Sequence, residues 1–306
     1  MPAGEVDLET FATALRADPR AAHLERIAPR AARTGHLRRP LPEAIAHLEP
    51  DGGFWSHQVE AIDLARDGTS VVVATGTASG KSLCYGVPIA DAIVSAPRAS
   101  TALLLFPTKA LAQDQLRSLT ALGVPGLIAA THDGDSSPQE RAWSRANANV
   151  LLTNPEMLHV SMLPNHARWA EFLHRLRFVV IDELHVLRGM FGSNVAHVLR
   201  RLRRLCAHYG SDPVFVLTSA TIGGASDLAS QLIGLDVVTV SDDGSPRGER
   251  LFLVWDPSAE ADPSEQRSSS RDAAELTAGL VRAGHRILTF CRSRKGTELV
   301  AADAAR

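Results

Sequence analysis

The sequence predicts an α/β fold in which a parallel sheet is covered by helices on both faces, followed by the start of a second α/β unit. Three observations carry this reading. Short, near-continuous apolar runs alternate with segments of helical spacing between Val71 and Val240, the pattern of strands buried on both faces. The β-branched run Val71-Val72-Val73 breaks into a Gly- and Ser-rich turn, then Gly80-Lys81-Ser82, then the apolar, helix-like run Leu83 to Val94. A polar composition break, Ser241 to Gly248, separates these elements from a further strand–helix–strand–helix run. The predicted organisation is an N-terminal extension over 1–50, a first domain over 51–241, a linker over 242–249 and an incomplete second domain over 250–306.

The 306 residues fit about two domains on a prior of ~150 residues each. Hydrophobic residues make up 45% and charged residues 22%, enough to bury a sizeable core. A formal net charge of −2 removes any argument from bulk basicity, so nucleic-acid binding has to rest on local surface. Cys84, Cys206 and Cys291 lack ligand spacing and read as small core residues in a reducing compartment. The twelve histidines are scattered, which excludes a histidine-rich metal centre. No apolar run approaches the ~18 residues of a membrane span. The acidic N-terminus has no signal-peptide core, so a cytoplasmic location is expected.

In chain order, residues 1–50 hold short helical candidates at Leu8 to Leu15 and Glu43 to Leu48, interrupted by Pro40, Pro42 and Pro50. Arg26 to Arg39 reads as solvated surface. Val59 to Leu64 is helical. Strands follow at Ala102 to Phe106, Gly126 to Ala130, Val150 to Thr153, Phe178 to Ile181, Val214 to Leu217 and Val237 to Val240. Helices are predicted at Lys109 to Leu122, Gln139 to Ala146, Asn194 to Tyr209 and Ala225 to Ile233. Beyond the linker come a strand at Leu251 to Trp255, a helix at Ala273 to Ala283, a strand at Arg286 to Cys291 and a helix at Gly296 to Ala305. The run Arg201-Leu202-Arg203-Arg204-Leu205 is amphipathic, with leucines at core spacing and a solvated basic face.

The order strand, Gly-rich turn, helix at residues 71–94 is that of a phosphate loop, because backbone N–H groups converge on an anion at a helix N-terminus. Thr75, Gly76, Thr77, Ala78, Ser79 and Gly80 form the cradle, Lys81 reaches the β/γ-phosphates and Ser82 ligates Mg²⁺. Thr75 stands where the strict pattern has glycine. Gln58, just upstream, can both donate to and accept from an adenine edge. Asp182-Glu183-Leu184-His185 ends a buried apolar strand, where carboxylates are expensive unless a cation is near. Asp182 is placed to hold Mg²⁺ and Glu183 to orient the attacking water.

With these two sites and the runs between them, the sequence resembles superfamily 2 helicases of the DExH type. Residues 71–82 resemble motif I and Asp182 to His185 motif II. Phe106-Pro107-Thr108-Lys109 and the residues after it resemble motif Ia, and Thr153-Asn154-Pro155-Glu156 motif Ib. Ser219-Ala220-Thr221 resembles motif III, and Leu288 to Arg294 motif IV. The runs 74–85, 133–135 and 188–194 are similar to those of the YprA-like subgroup, in which the Thr75 departure also occurs. The resemblance implies RecA-like domains, ATP and Mg²⁺ as cofactors, and His185 within the catalytic set. It implies 3′-to-5′ translocation on single-stranded or partially duplex DNA, rather than RNA, in repair. Pro107, Thr108, Lys109, Thr153, Asn154, Pro155, Arg292 and Ser293 are then the strand contacts. Ser219, Ala220 and Thr221 relay nucleotide state to that surface.

The resemblance also implies arginines from motifs V and VI, and no Gln-x-x-Gly-Arg-x-Gly-Arg run follows Arg294. Arginine fingers supply on the order of 10³–10⁵ in rate. The chain is therefore expected to bind ATP and turn it over slowly unless a further helicase domain acts in cis or in trans. The alternative is an ATP- and nucleic-acid-binding fragment without unwinding activity.

Overall fold

The apolar runs between Val71 and Val240 assemble into one seven-stranded sheet in which every pairing is parallel. The computed structural model describes residues 13, 15–96, 100–221, 223–259 and 268–306. The expected helix at Leu8 to Leu15 falls largely outside them.

The described elements are β1 (Ala21–Ile27), β2 (Thr34–Gly35), β3 (Phe54–Trp55), α1 (Ser56–Arg66), β4 (Val71–Ala74), α2 (Lys81–Ser95), β5 (Thr101–Leu105) and α3 (Lys109–Ala121). There follow β6 (Ala129–Thr131), α4 (Pro138–Asn147), β7 (Val150–Thr153), α5 (Ala170–His174), β8 (Leu176–Ile181), α6 (Gly189–Tyr209), β9 (Val214–Ser219), α7 (Ala225–Ile233) and β10 (Val238–Val240). The last elements are β11 (Arg250–Trp255), α8 (Ser269–Arg282) and α9 (Arg294–Ala304).

Contacts divide the chain into two units. One is Ala31–Pro246, and the other joins the segment up to Arg30 with Arg247–Arg306. In the larger unit the strand order is β10-β4-β9-β8-β5-β7-β6. Side chains alternate between the faces along each strand. Val72, Leu103, Leu151, Val179 and Phe215 pack with Leu199 and Leu202 of α6 and Leu232 of α7. Val71, Leu104, Leu152, Val180 and Val216 pack with Tyr85 and Ile89 of α2 and Leu119 of α3. Each such side chain contributes roughly 1.5–3 kcal/mol by leaving water. Both faces are thus closed, which explains why the strands read as unbroken apolar runs.

Residues 31–55 complete this unit. Strand β2 pairs with β3, and Leu37, Leu41, Ile45 and Phe54 pack against Ile62 and Val87. The arginines expected to be merely solvated are ion-paired: Arg33 with Asp242, and Arg38 with Asp63 and Asp67. The strand expected at Gly126 to Ala130 is displaced to β6. The Asn149 side chain takes the Ile128 N–H at 2.8 Å and donates to the Gly126 carbonyl at 2.7 Å, so these groups bond to an amide rather than to a ladder.

In the smaller unit β1 pairs antiparallel with β11. Trp255 Nε1 donates to Asp272 Oδ2 at 2.7 Å, and the Arg20 guanidinium lies 4.7 Å from the Trp255 ring centre. The expected strand at Arg286 to Cys291 is not formed. A strand requires a hydrogen-bonded neighbour, and no described segment pairs with it. Leu288 and Phe290 there are 76% and 86% exposed. Cys84 and Cys206 are core residues as expected, whereas Cys291 is partly exposed.

Candidate nucleotide and nucleic-acid site

The sheet register sets the site. Ala74 of β4 lies opposite Ser219 of β9, and Ile181 of β8 lies opposite Leu217. The turn after β4, the carboxylates after β8 and the hydroxyls ending β9 therefore gather at the carboxyl edge, where open α/β sheets bind ligands.

The turn at 75–80 is held by its carbonyls. Lys81 Nζ donates to the Thr75 and Gly76 carbonyls at 3.1 and 2.7 Å. Ser79 Oγ donates to the Gly76 carbonyl at 2.8 Å, which leaves Thr75 Oγ1 to donate to Ser79 Oγ at 2.7 Å. His57, which the motif pattern did not single out, is buried under the loop. Its Nδ1 accepts the Gly244 N–H at 3.1 Å, so Nε2 carries the proton and donates to the Ser79 carbonyl at 2.8 Å. Gln58 accepts the Trp55 N–H and donates to the Gly80 carbonyl, both at 3.0 Å.

These anchors orient the donors. The C=O and N–H of one peptide point in opposite directions. Fixing the Ser79 and Gly80 carbonyls onto α1 therefore turns the N–H groups of Gly80 and Lys81 the other way. Ala78 and Gly80 are both left-handed, at φ 58° and 62°, the backbone conformation from which anion-binding concavities are built. A Cβ at Gly80 would stand 2.5 Å from Gln58 Nε2. Burial lowers the Lys81 pKa, partly offset by Glu183 and Asp182. Such a desolvated ammonium is improved by an arriving anion.

Across the edge, Asp182 N–H donates to the Leu105 carbonyl at 3.0 Å. Its Oδ1 accepts from Thr218 Oγ1 and from the Glu183 N–H, while Oδ2 has no hydrogen bond among the described residues. Glu183 is left-handed at φ 55°, a conformation costing about 1–2 kcal/mol. His185 Nδ1 lies 3.1 Å from Glu183 Oε2, too oblique for a hydrogen bond. The residue of β9 that touches Asp182 is thus Thr218, one position before the expected triplet. Ser219 Oγ is buried without a hydrogen-bond partner among the described residues, Ala220 is half-buried and Thr221 is exposed.

The expected strand contacts lie differently from one another. Thr108 and Lys109 are exposed after β5, with Thr108 capping α3 through the Leu111 N–H. Lys109 is paired with Asp135. Pro107 and Asn154 are half-buried, and Asn154 accepts the Met157 N–H at 2.8 Å. Thr153 departs from expectation: it is 2% exposed and its hydroxyl donates to the His132 carbonyl at 2.6 Å. Pro155 is also buried. Because Leu105 pairs with Thr153 in the sheet, the loops after β5 and β7 are neighbours. Arg292 and Ser293 belong to the smaller unit and are exposed, with Ser293 capping α9.

Among the described residues no group of three or more His, Cys, Asp or Glu is placed to hold a metal. A Mg²⁺ site needs only one or two carboxylates beside substrate phosphates and water. The free Oδ2 of Asp182 and the half-buried Ser82 at the start of α2 fit that role.

Residues 55–228 match the DEAD/DEAH box helicase family. The chain is 41% identical over 286 residues to the uncharacterized ATP-dependent helicase YprA of Bacillus subtilis, covering 90% of this chain and 37% of that protein. It is 40% identical to the ATP-dependent helicase HRQ1 of Saccharomyces cerevisiae, covering 85% of this chain and 25% of that one. The crystal structure of the helicase MrfA bound to DNA matches with a TM-score of 0.92 at 36% identity, over 98% of this chain and 43% of MrfA. The chain thus spans less than half the length of each of these relatives. A parallel sheet with the 75–82 loop and an Asp-Glu pair at one edge is consistent with that family match over residues 55–228, which places the chain in the DEAD/DEAH box helicase family.

Proposed function

We propose that the chain carries the ATP-binding part of an ATP-dependent DNA helicase that couples hydrolysis to movement along single-stranded DNA, with 3′-to-5′ polarity and a role in repair. The observation that carries this is the convergence, around Thr218 and Ser219, of the 75–82 loop with Asp182 and Glu183. DNA is the nucleic acid in the MrfA structure it matches, and relatives include the ATP-dependent DNA helicase Hel308 of Pyrobaculum calidifontis.

In this reading the Gly80 and Lys81 N–H groups and the Lys81 ammonium bind the phosphates, and Lys81 gives up the Thr75 and Gly76 carbonyls to do so. The Gln58 amide retains one lone pair and one N–H for an adenine edge. Ser82 and Asp182 would hold Mg²⁺, which when bound would neutralise charge on the β- and γ-phosphates. Glu183 accepts a proton from the attacking water, and its left-handed backbone turns its side chain out of the helical run that follows. Thr218 holds Asp182 by one oxygen, so a change at that carboxylate reaches β9 and the Ser219–Thr221 loop. Backbone N–H groups at the starts of α3 and of the turn after Asn154 meet phosphates without reading sequence. Arg292 and Ser293 of the smaller unit are read as nucleic-acid contacts in their own right.

Equilibrium binding of a fluorescent ATP analogue tests the assignment. Lys81→Ala is expected to weaken it by at least tenfold, and unchanged affinity would remove the phosphate loop from the proposal.

A further inference from the structure

A second surface of the larger unit is basic and remote from this site. Helix α6 carries Arg200, Arg201, Arg203 and Arg204 with His197 and His208, and no carboxylate in its 21 residues. The chain as a whole is balanced, with 32 Lys and Arg against 34 Asp and Glu, so this is local charge segregation. The apolar side, Val195, Leu199, Leu202 and Cys206, is buried. Arg203 is used structurally, donating at 3.0 Å to the Ile233 and Gly234 carbonyls that end α7, and Arg201 meets His159.

His197, Arg200 and Arg204 are exposed, and the two arginines have no hydrogen bond or ion pair among the described residues. They line an open groove of about 850 Å³ whose sole acidic lining residue is Asp212. The helix dipole favours cations in the last turn, which accounts for His208 but not for Arg200, two turns earlier.

The topology places this groove at the far edge of the sheet. Asp212 and Pro213 immediately precede β9, whose other end carries Ser219. Six residues of strand separate the two by roughly 20 Å. The α6 groove is therefore not part of the edge bearing the 75–82 loop, Thr108 and Asn154. Its arginines stand one turn apart, about 6 Å along the helix. Fork-shaped donors so spaced suit an extended polyanion.

We infer that the α6 groove is a second nucleic-acid surface that holds the phosphate backbone of duplex DNA flanking the single strand. The inference rests on the proposed DNA-directed function, and commits to backbone contact without base readout. Its test is fluorescence anisotropy with a tailed duplex and with the single-stranded tail alone, each over a salt series. The variants are Arg200→Ala/Arg204→Ala and the charge-retaining Arg200→Lys/Arg204→Lys.

The alanine variant is expected to bind the tailed duplex about tenfold more weakly. Its log–log salt slope should be shallower by up to about 2, since each lost phosphate contact removes ~0.9. Affinity for the tail alone and turnover without DNA should be unchanged, and the lysine variant should recover most of the slope. Wild-type binding of both DNAs with no effect of the alanine substitutions would overturn the groove while leaving the proposed function intact. Failure of the wild type to bind either DNA would overturn the proposed function and the groove together. Binding of a poly-glutamate peptide that depends on Arg200 and Arg204, with tailed-duplex affinity unaffected, would assign the groove to an acidic protein instead.

Discussion

Gly80→Ala probes the seat of the 75–82 loop. A residue there must keep φ near 62°, which costs an L-residue about 1–2 kcal/mol. The new Cβ would also meet Gln58 Nε2 at 2.5 Å and the Trp55 ring at 3.1 Å. Gln58 cannot swing away freely, because its amide is pinned by the Trp55 N–H and the Gly80 carbonyl. Losing that second bond adds about 0.5–1.5 kcal/mol. The total is about 1.5–3.5 kcal/mol, or roughly 3–14 °C for a unit of this size. Because the clash runs through one amide, Gln58→Ala should absorb part of it. In a double-mutant cycle read by thermal unfolding, Gly80→Ala is expected to cost about 1 kcal/mol less in the Gln58→Ala background. Strict additivity of the two substitutions would refute the tether between Gln58 and the loop.

Other outcomes follow from the same geometry. Ala78→Gly relieves a left-handed alanine and should raise the unfolding midpoint or leave it unchanged; a fall of several degrees would contradict the backbone assignment. Thr218→Val deletes the hydroxyl donated to Asp182, at a cost of about 1.5–3 kcal/mol in urea unfolding, whereas Thr218→Ser should lose less than half of that. His132 is buried and its pKa is lowered, chiefly by that burial. The unfolded chain then binds the extra proton first, so stability present at neutral pH is lost as pH falls below the ordinary histidine value of 6.5. Urea midpoints at pH 7.5 and 5.5 should converge in His132→Gln relative to wild type, and an unaltered difference would exclude His132 as the source.

Much of the larger unit was legible in the sequence because its strands are buried on both faces. Val150 to Thr153 and Ala225 to Ile233 form the elements expected of them, and residues 75–80 and Asp182-Glu183 follow β4 and β8 as the alternation of strands implies. What escaped was non-local. Strand β1 pairs with β11 more than two hundred residues away, and its mostly exposed side chains give no period of two. The role of His57 depends on Gly244 and Ser79, which only the folded chain brings to its two nitrogens. Thr153 looked like a surface hydroxyl because it ends a strand beside Asn154, yet the His132 carbonyl claims it. At Arg286 to Cys291 the reverse held: the pattern was strand-like, but a strand also needs a neighbour.

We propose that Asp182 and Glu183 face the 75–82 loop as one hydrolytic site, with Glu183 the group that takes the proton from water. The most direct measurement is ATP turnover by wild type and Glu183→Gln, with saturating single-stranded DNA and without it, alongside nucleotide affinity for both. Unchanged affinity is expected, with turnover in the variant lower by about 10²–10⁴ in the presence of DNA. A Glu183→Gln protein that hydrolyses ATP at the wild-type rate would contradict it.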